Sequence, residues 1–159
     1  MKCKFDSNSD KASRVEAFLR KHGDDLPDEA INNSISGTNL DNWALYCDKD
    51  NRIVSGVTFE QNDWYLCTIH FLATDPSVRG QGLGSKVVGE VMQKTRDHPG
   101  CLVLAADITY DNTPSKRIFE KNGFEEVTRF CWGQGAKPAD IMHYVRMPAK
   151  CDGDVCEKC

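Results

Sequence analysis

The sequence predicts an α/β fold, a mixed sheet carrying helices on both of its faces. Two observations lead there. A strand-like run from Tyr65 to Ala73, closed by Asp75-Pro76, passes through a glycine-rich loop into Leu83, Val87, Val88, Val91 and Met92, whose spacing lays one apolar stripe along a helix. A second helix, opened by Asn112 and ended by Gly123, returns the chain to a strand at Phe124. At 159 residues the chain is expected to form one domain, residues 1–149, followed by a cysteine-containing tail, 150–159.

In chain order, Met1 to Phe5 reads as a short first strand, and Ser9 or Asp10 caps a helix that buries Val15, Phe18 and Leu19 and ends at Gly23. Pro27 to Ile35 is a weaker helical patch, and Ser36 to Asn39 reads as loop. Trp43 to Cys47 and Ile53 to Phe59 are strands around the turn Asp48-Lys49-Asp50-Asn51, a hairpin signal. Gln61-Asn62-Asp63 turns the chain into the central strand. There, alternation puts Tyr65, Cys67, Ile69, Phe71 and Ala73 on one apolar face, with Trp64, Leu66, Thr68, His70, Leu72 and Thr74 on the other. Cys101 to Ile108, Phe124 to Trp132 and Ile141 to Met147 supply the last strands.

The stretch Val78-Arg79-Gly80-Gln81-Gly82-Leu83-Gly84-Ser85 carries the chemistry. Alternate glycines remove the Cβ atoms that would keep a ligand off the backbone. The helix start that follows offers unpaired amides and the positive end of the helix dipole, which attract an anion. Arg79 can hold a phosphate through two parallel hydrogen bonds. The loop therefore reads as a pyrophosphate cradle. It lacks the Gly-Lys-Ser/Thr of a Walker loop, and its G-x-G-x-G spacing is not the G-x-G-x-x-G of a dinucleotide turn.

The cradle resembles the Arg/Gln-x-x-Gly-x-Gly/Ala motif of the GNAT superfamily of acetyl-CoA-dependent N-acetyltransferases, read here as Arg79, Gly82 and Gly84. Asn112-Thr113-Pro114, with Ser115 and Phe119 on one helix face and Gly123-Phe124 closing it, resembles the family's second signature. The order strand, glycine loop, helix, strand, Asn-led helix and Gly-Phe strand covers about residues 43–147. The resemblance implies a mostly antiparallel sheet in which the central strand splays from its neighbour and acyl-CoA enters the gap. It implies acetyl-CoA as cosubstrate, with Leu72, Ala73 and Thr74 beside the pantetheine arm. Arg79, Gly80, Gln81, Gly82, Leu83, Gly84 and Ser85 then meet the diphosphate, and Asn112, Ser115 and Phe119 line the same site.

His70 is the candidate general base, at a position on this strand that some members use, against the plainer reading of a core histidine bonded to a carbonyl. An amine of pKa about 10.4 is roughly a thousandfold protonated near neutral pH, about 4 kcal/mol against attack on a thioester. A positioned base recovers roughly 10² to 10⁴ in rate. The family's second signature often carries a Tyr that protonates the departing sulfur. Here Phe119 has no proton to give, so Tyr110 or Tyr144 is the candidate acid, with water as the alternative. The expected activity is transfer of acetyl to a primary amine, either a small molecule or a peptide. The other reading is a non-catalytic acyl-CoA binder whose cysteine tail docks a metal or a partner.

Net charge of −4 gives no basic footprint for nucleic acid, and no apolar run suits a signal peptide or a membrane span. A cytoplasmic protein is expected, with homodimerisation allowed by family habit. Of eight cysteines, Cys47, Cys67, Cys101 and Cys131 lie in strand-like runs and are expected as reduced, buried thiols. Cys151, Cys156 and Cys159 have C-x4-C-x2-C spacing, three ligands where a metal site normally needs four. A solvated tail is the expectation, with no resident metal. Cys3 or a partner chain would supply a fourth ligand otherwise.

Overall fold

The N-cap of the first helix is Ser7, ahead of the expected Ser9 or Asp10. Its side chain accepts from the Asp10 amide, and α1 (Asn8–His22) closes at Gly23, whose N–H returns to Leu19. The computed structural model describes residues 1–23, 28–63, 65–96, 103–109, 111–131 and 140–146, with backbone alone at 38, 129–131 and 140–146. It contains α2 (Asp28–Ile35) and a 3-10 turn (Gly37–Asn42), where loop was expected. Then follow β1 (Trp43–Cys47), β2 (Ile53–Gln61), β3 (Leu66–Thr74), α3 (Leu83–Arg96), β4 (Val103–Thr109), α4 (Thr113–Lys121), β5 (Glu125–Cys131) and β6 (Asp140–Arg146). The six strands form one sheet in the order β1-β2-β3-β4-β6-β5. Every neighbouring pair is antiparallel except β3 and β4.

Alternation along β1 shows how the sheet fills two cores. Ala44 joins Val57, Cys67, Ile69, Val87, Val88, Val91 and Phe119 beneath α3 and α4. Trp43 and Leu45 join Val15, Leu19 and Ile31 beneath α1 and α2. The Trp43 indole N–H, which burial would otherwise orphan, donates to the Ser34 carbonyl at 2.8 Å.

Two expectations are corrected. First, the alternation expected along the central strand breaks. Gly56 pairs with Ala73 while Thr58 pairs with His70, so β3 carries one extra residue, and Phe71 takes φ +51°. The bulge puts Phe71 against the α1/α2 core, while Leu72 packs on the α3/α4 core with Ile69. Phe71 and Ala73 therefore part company with Cys67 and Ile69, and His70 lies on the opposite face from Leu72 and Thr74.

Second, Cys47 is buried but not reduced: it is bonded to Cys3. The N-terminal segment, expected as a strand, is a single bridge between Lys2 and Tyr46, with the Met1 ammonium donating to the Cys47 carbonyl. Cys3 is thus already bonded and supplies no ligand to the tail. Cys67 is a buried thiol in no disulfide, as expected, whereas Cys101 and the tail cysteines lie outside the described residues. Because the bridge joins residues 44 apart in sequence, Cys3→Ser should lower stability by about 2–4 kcal/mol in urea unfolding, and dithiothreitol should do the same to the wild type but not to the variant.

Candidate functional site

The site begins where β3 and β4 stop pairing. Their ladder runs from Leu66↔Val103 to Ile69↔Ala106 and no further. Beyond it β3 stays with β2, through Ala73↔Gly56 and Thr74↔Ser55, while β4 stays with β6, through Asp107↔His143 to Thr109↔Ile141. The strands part into a cleft of about 300 Å³. One wall is Ile69, His70, Phe71 and Leu72, and the other is Ala106 to Thr109 with Asn112, Ser115 and Phe119.

The glycine loop is tied to the end of β3. Gly80 and Gly82 adopt φ +81° and +73°, conformations that side chains rarely take. At Gly84 a Cβ would stand 2.8 Å from Ile118 Cδ1 and 3.6 Å from Thr74 Oγ1, so glycine permits the close approach of α3 to α4. The first helical bond of α3 is Lys86 N–H to Gly82 O. Among the described residues the amides from Gly80 to Ser85 meet no acceptor, the open donor set expected of an anion cradle. Arg79 donates Nε to the Thr74 carbonyl at 3.2 Å, and its terminal nitrogens take no partner among the described residues. Leu83 is buried, which leaves only its backbone to meet a ligand.

The remaining expected residues are placed as follows. Thr74 Oγ1 lies 2.9 Å from Ser55 Oγ, which also bonds the Ala73 carbonyl. Asn112 caps α4 by accepting from the Ser115 amide, and Gly123 ends that helix at φ +81°, both as expected. Phe119 is buried edge-on to Phe124, with ring centroids 5.0 Å apart. Tyr110 lies outside the described residues, and Tyr144 is described by its backbone alone.

His70 stands between two cavities. One is the cleft; the other, of about 220 Å³, lies under α2 and the 3-10 turn, between Asn33, Ser34 and Asn39 above and Thr58, Glu60 and Phe71 below. His70 Nε2 is buried without a hydrogen bond, and Glu60 Oε2 is 3.8 Å from it, too far for one. Burial pushes the imidazole below its usual value, opposed by the Glu60 and Asp107 carboxylates, which favours the neutral ring. A neutral imidazole with an open nitrogen can accept a proton.

Three contributors escaped the sequence reading. Glu60 was hidden because only strand register sets it beside His70. Asn122 donates Nδ2 to Ser85 Oγ at 2.9 Å, joining the end of α4 to the start of α3. Asp75, expected only to close the strand, caps the turn before the cradle: its carboxylate accepts from the Ser77 amide and hydroxyl and pairs with Lys21 and His22.

The sheet is thus split at its parallel pair, and the glycine loop with its unpaired amides follows the end of β3. The family model for the acetyltransferase (GNAT) family matches residues 11–124, and the chain belongs to that family. The polyamine N-acetyltransferase of Drosophila melanogaster has a similar structure, with a TM-score of 0.75 at 15% identity over 91% of this chain and 98% of that one. The ribosomal-protein-S18-alanine N-acetyltransferase of Escherichia coli gives 0.72 at 14% over 96% of each chain. The yncA protein of Salmonella typhimurium, solved with its cofactor acetyl-CoA, gives 0.69 at 15% over 92% and 93%. Identities this low speak for the fold. No curated protein sequence matches the chain. Among the described residues no helix is long and apolar enough to cross a membrane, and no group of three or more His, Cys, Asp or Glu side chains could hold a metal.

The Asp75 carboxyl is held down to about 2, first by the Ser77 amide and hydroxyl and then by His22 and Lys21. Its folded value lies below the unfolded one, so its contribution to stability is complete above about pH 4 and fades as pH falls towards 2. Asp75→Asn should therefore melt lower than the wild type at pH 6, with the gap closing between pH 4 and 2 in a series of thermal scans.

Proposed function

We propose that the protein is an N-acetyltransferase that moves the acetyl group of acetyl-CoA directly to a primary amine. The observation that carries this reading is the cleft opened where β3 parts from β4, lined by His70 with its Nε2 unpaired, with the glycine loop and its unpaired amides following the end of the same strand. In this reading the diphosphate lies against the Gly80 to Ser85 amides, helped by the terminal nitrogens of Arg79. The pantetheine arm follows the edge of β3 that β4 leaves unpaired, past Leu72, Ala73 and Thr74, with Asn112, Ser115 and Phe119 opposite. The thioester carbonyl then comes to the bulge at Phe71, close to His70.

His70 takes a proton from the acceptor ammonium, directly or through water, and the freed lone pair attacks the thioester carbon. A backbone N–H near Leu72 to Thr74 meets the oxyanion that forms. The carbon–sulfur bond then breaks, the amine nitrogen gives its remaining extra proton to water, and CoA leaves as a thiol. Phe119 cannot protonate the sulfur, but a thiol of pKa about 8.5 leaves tolerably well with a proton from water or Tyr110. A cytoplasmic setting is carried over from the sequence, with the Cys3–Cys47 bridge as the observation against it. Phe119 also favours a second reading, an acyl-CoA binder without turnover.

Transfer of isotopic label from acetyl-CoA to a panel of amines decides between them. Label should reach an amine, Arg79→Ala should raise the KM for acetyl-CoA about tenfold or more, and His70→Gln should lower kcat about 10²- to 10⁴-fold. Because burial depresses the imidazole, the acidic limb of kcat/KM should lie below about pH 6.5 and vanish in His70→Gln. Acetyl-CoA binding without transfer to any amine would establish the binder, and an unchanged pH profile would remove His70 from the mechanism.

A further inference from the structure

We infer that Glu60 docks the ammonium group of the acceptor beside His70, so that the enzyme selects aliphatic cationic amines. This rests on the transferase reading. The cavity on the far side of His70 from the cleft is the remaining route to that imidazole, and its described walls are unequal in charge. Glu60 is their one carboxylate, and none of them is a cation. The rest of the lining is neutral, with amides from Asn33 and Asn39 and the Phe71 ring among it. Among the described residues the one basic group within ion-pair distance of Glu60 is the His70 imidazole, whose neutral form burial favours.

The gap between Glu60 Oε2 and His70 Nε2 is 3.8 Å, and both atoms are acceptors when the ring is neutral with Nε2 bare. Two acceptors at that spacing can share one donor that carries two hydrogens, such as a primary ammonium. Docked there, the ammonium holds one N–H on the carboxylate and offers another to the base. When His70 takes that proton the carboxylate faces a new imidazolium, so the same charge that binds the substrate steadies the protonated base. An acceptor with a carboxylate next to its amine would bring that charge to walls with no cation to receive it.

The groups facing His70 are Glu60 from β2 and Asp107 from β4, both of which favour the imidazolium. Glu60→Gln should therefore move the His70 titration to lower pH while Asp107 stays in place. In protein saturated with CoA, the His70 ring protons, assigned by their loss in His70→Gln, should shift saturably with 1,4-diaminobutane and stay still with butyramide. Glu60→Gln should raise the half-saturating diamine concentration at least tenfold, and Glu60→Asp should recover part of the loss. Equal diamine binding in Glu60→Gln, equal shifts with butyramide, or no shift with the diamine would each overturn the inference while leaving CoA binding intact. A protein that gives no calorimetric heat with CoA would remove the transferase reading and this one together.

Discussion

The parting of β3 from β4 is the constraint on which the rest of the molecule depends. A sheet interior seldom gives up ladder bonds, because unpaired backbone groups away from water cost about as much as the bonds themselves. Here the ladder ends at Ile69 and Ala106, and the residues beyond keep one partner strand each. The bulge at Phe71 turns β3 at that level, at a cost of about 1–3 kcal/mol for a bulky residue at positive φ. Packing of the Phe71 ring on the Val15–Leu19–Trp43 cluster holds it there. Strain kept in place by a core at a cleft is the expected mark of a working site.

Along that cleft the charge character changes from end to end. After the end of β3 lie bare amides and a guanidinium, which suit a diphosphate. In the cleft itself the walls mix apolar Ile69, Leu72, Ile108 and Phe119 with polar Asp107, Thr109, Asn112 and Ser115. Past His70 the one fixed charge among the described residues lining the far cavity is negative. Asp75 and Asn122 hold the mouth to α1 and α4, which keeps the amide loop in register with the cleft.

What could be read from the residues was local. The Arg79–Gly82–Gly84 loop, the Asn112 cap and the Gly123 stop are decided by neighbours within a few positions, and each stands as expected. β1 begins and ends at the expected residues because its apolar run and turn are equally local. What could not be read depends on contacts far apart in sequence. Period-2 alternation gives no sign of an extra residue in β3, so Phe71 and Ala73 were placed with Cys67 and Ile69. The Cys3–Cys47 bond joins the first residues to β1, and eight cysteines leave too many pairings for spacing to choose among. Glu60 became visible only once register set β2 against β3.

Amide chemical shifts of Gly80, Gln81, Gly82, Gly84 and Ser85 test the central claim most directly, followed while CoA and, separately, pantetheine are added. Pantetheine lacks the diphosphate. CoA is expected to shift these amides saturably while pantetheine moves those near Leu72 and leaves the loop still. Shifts of the loop as large with pantetheine as with CoA, or no response to CoA, would contradict a diphosphate held by the opening amides of α3.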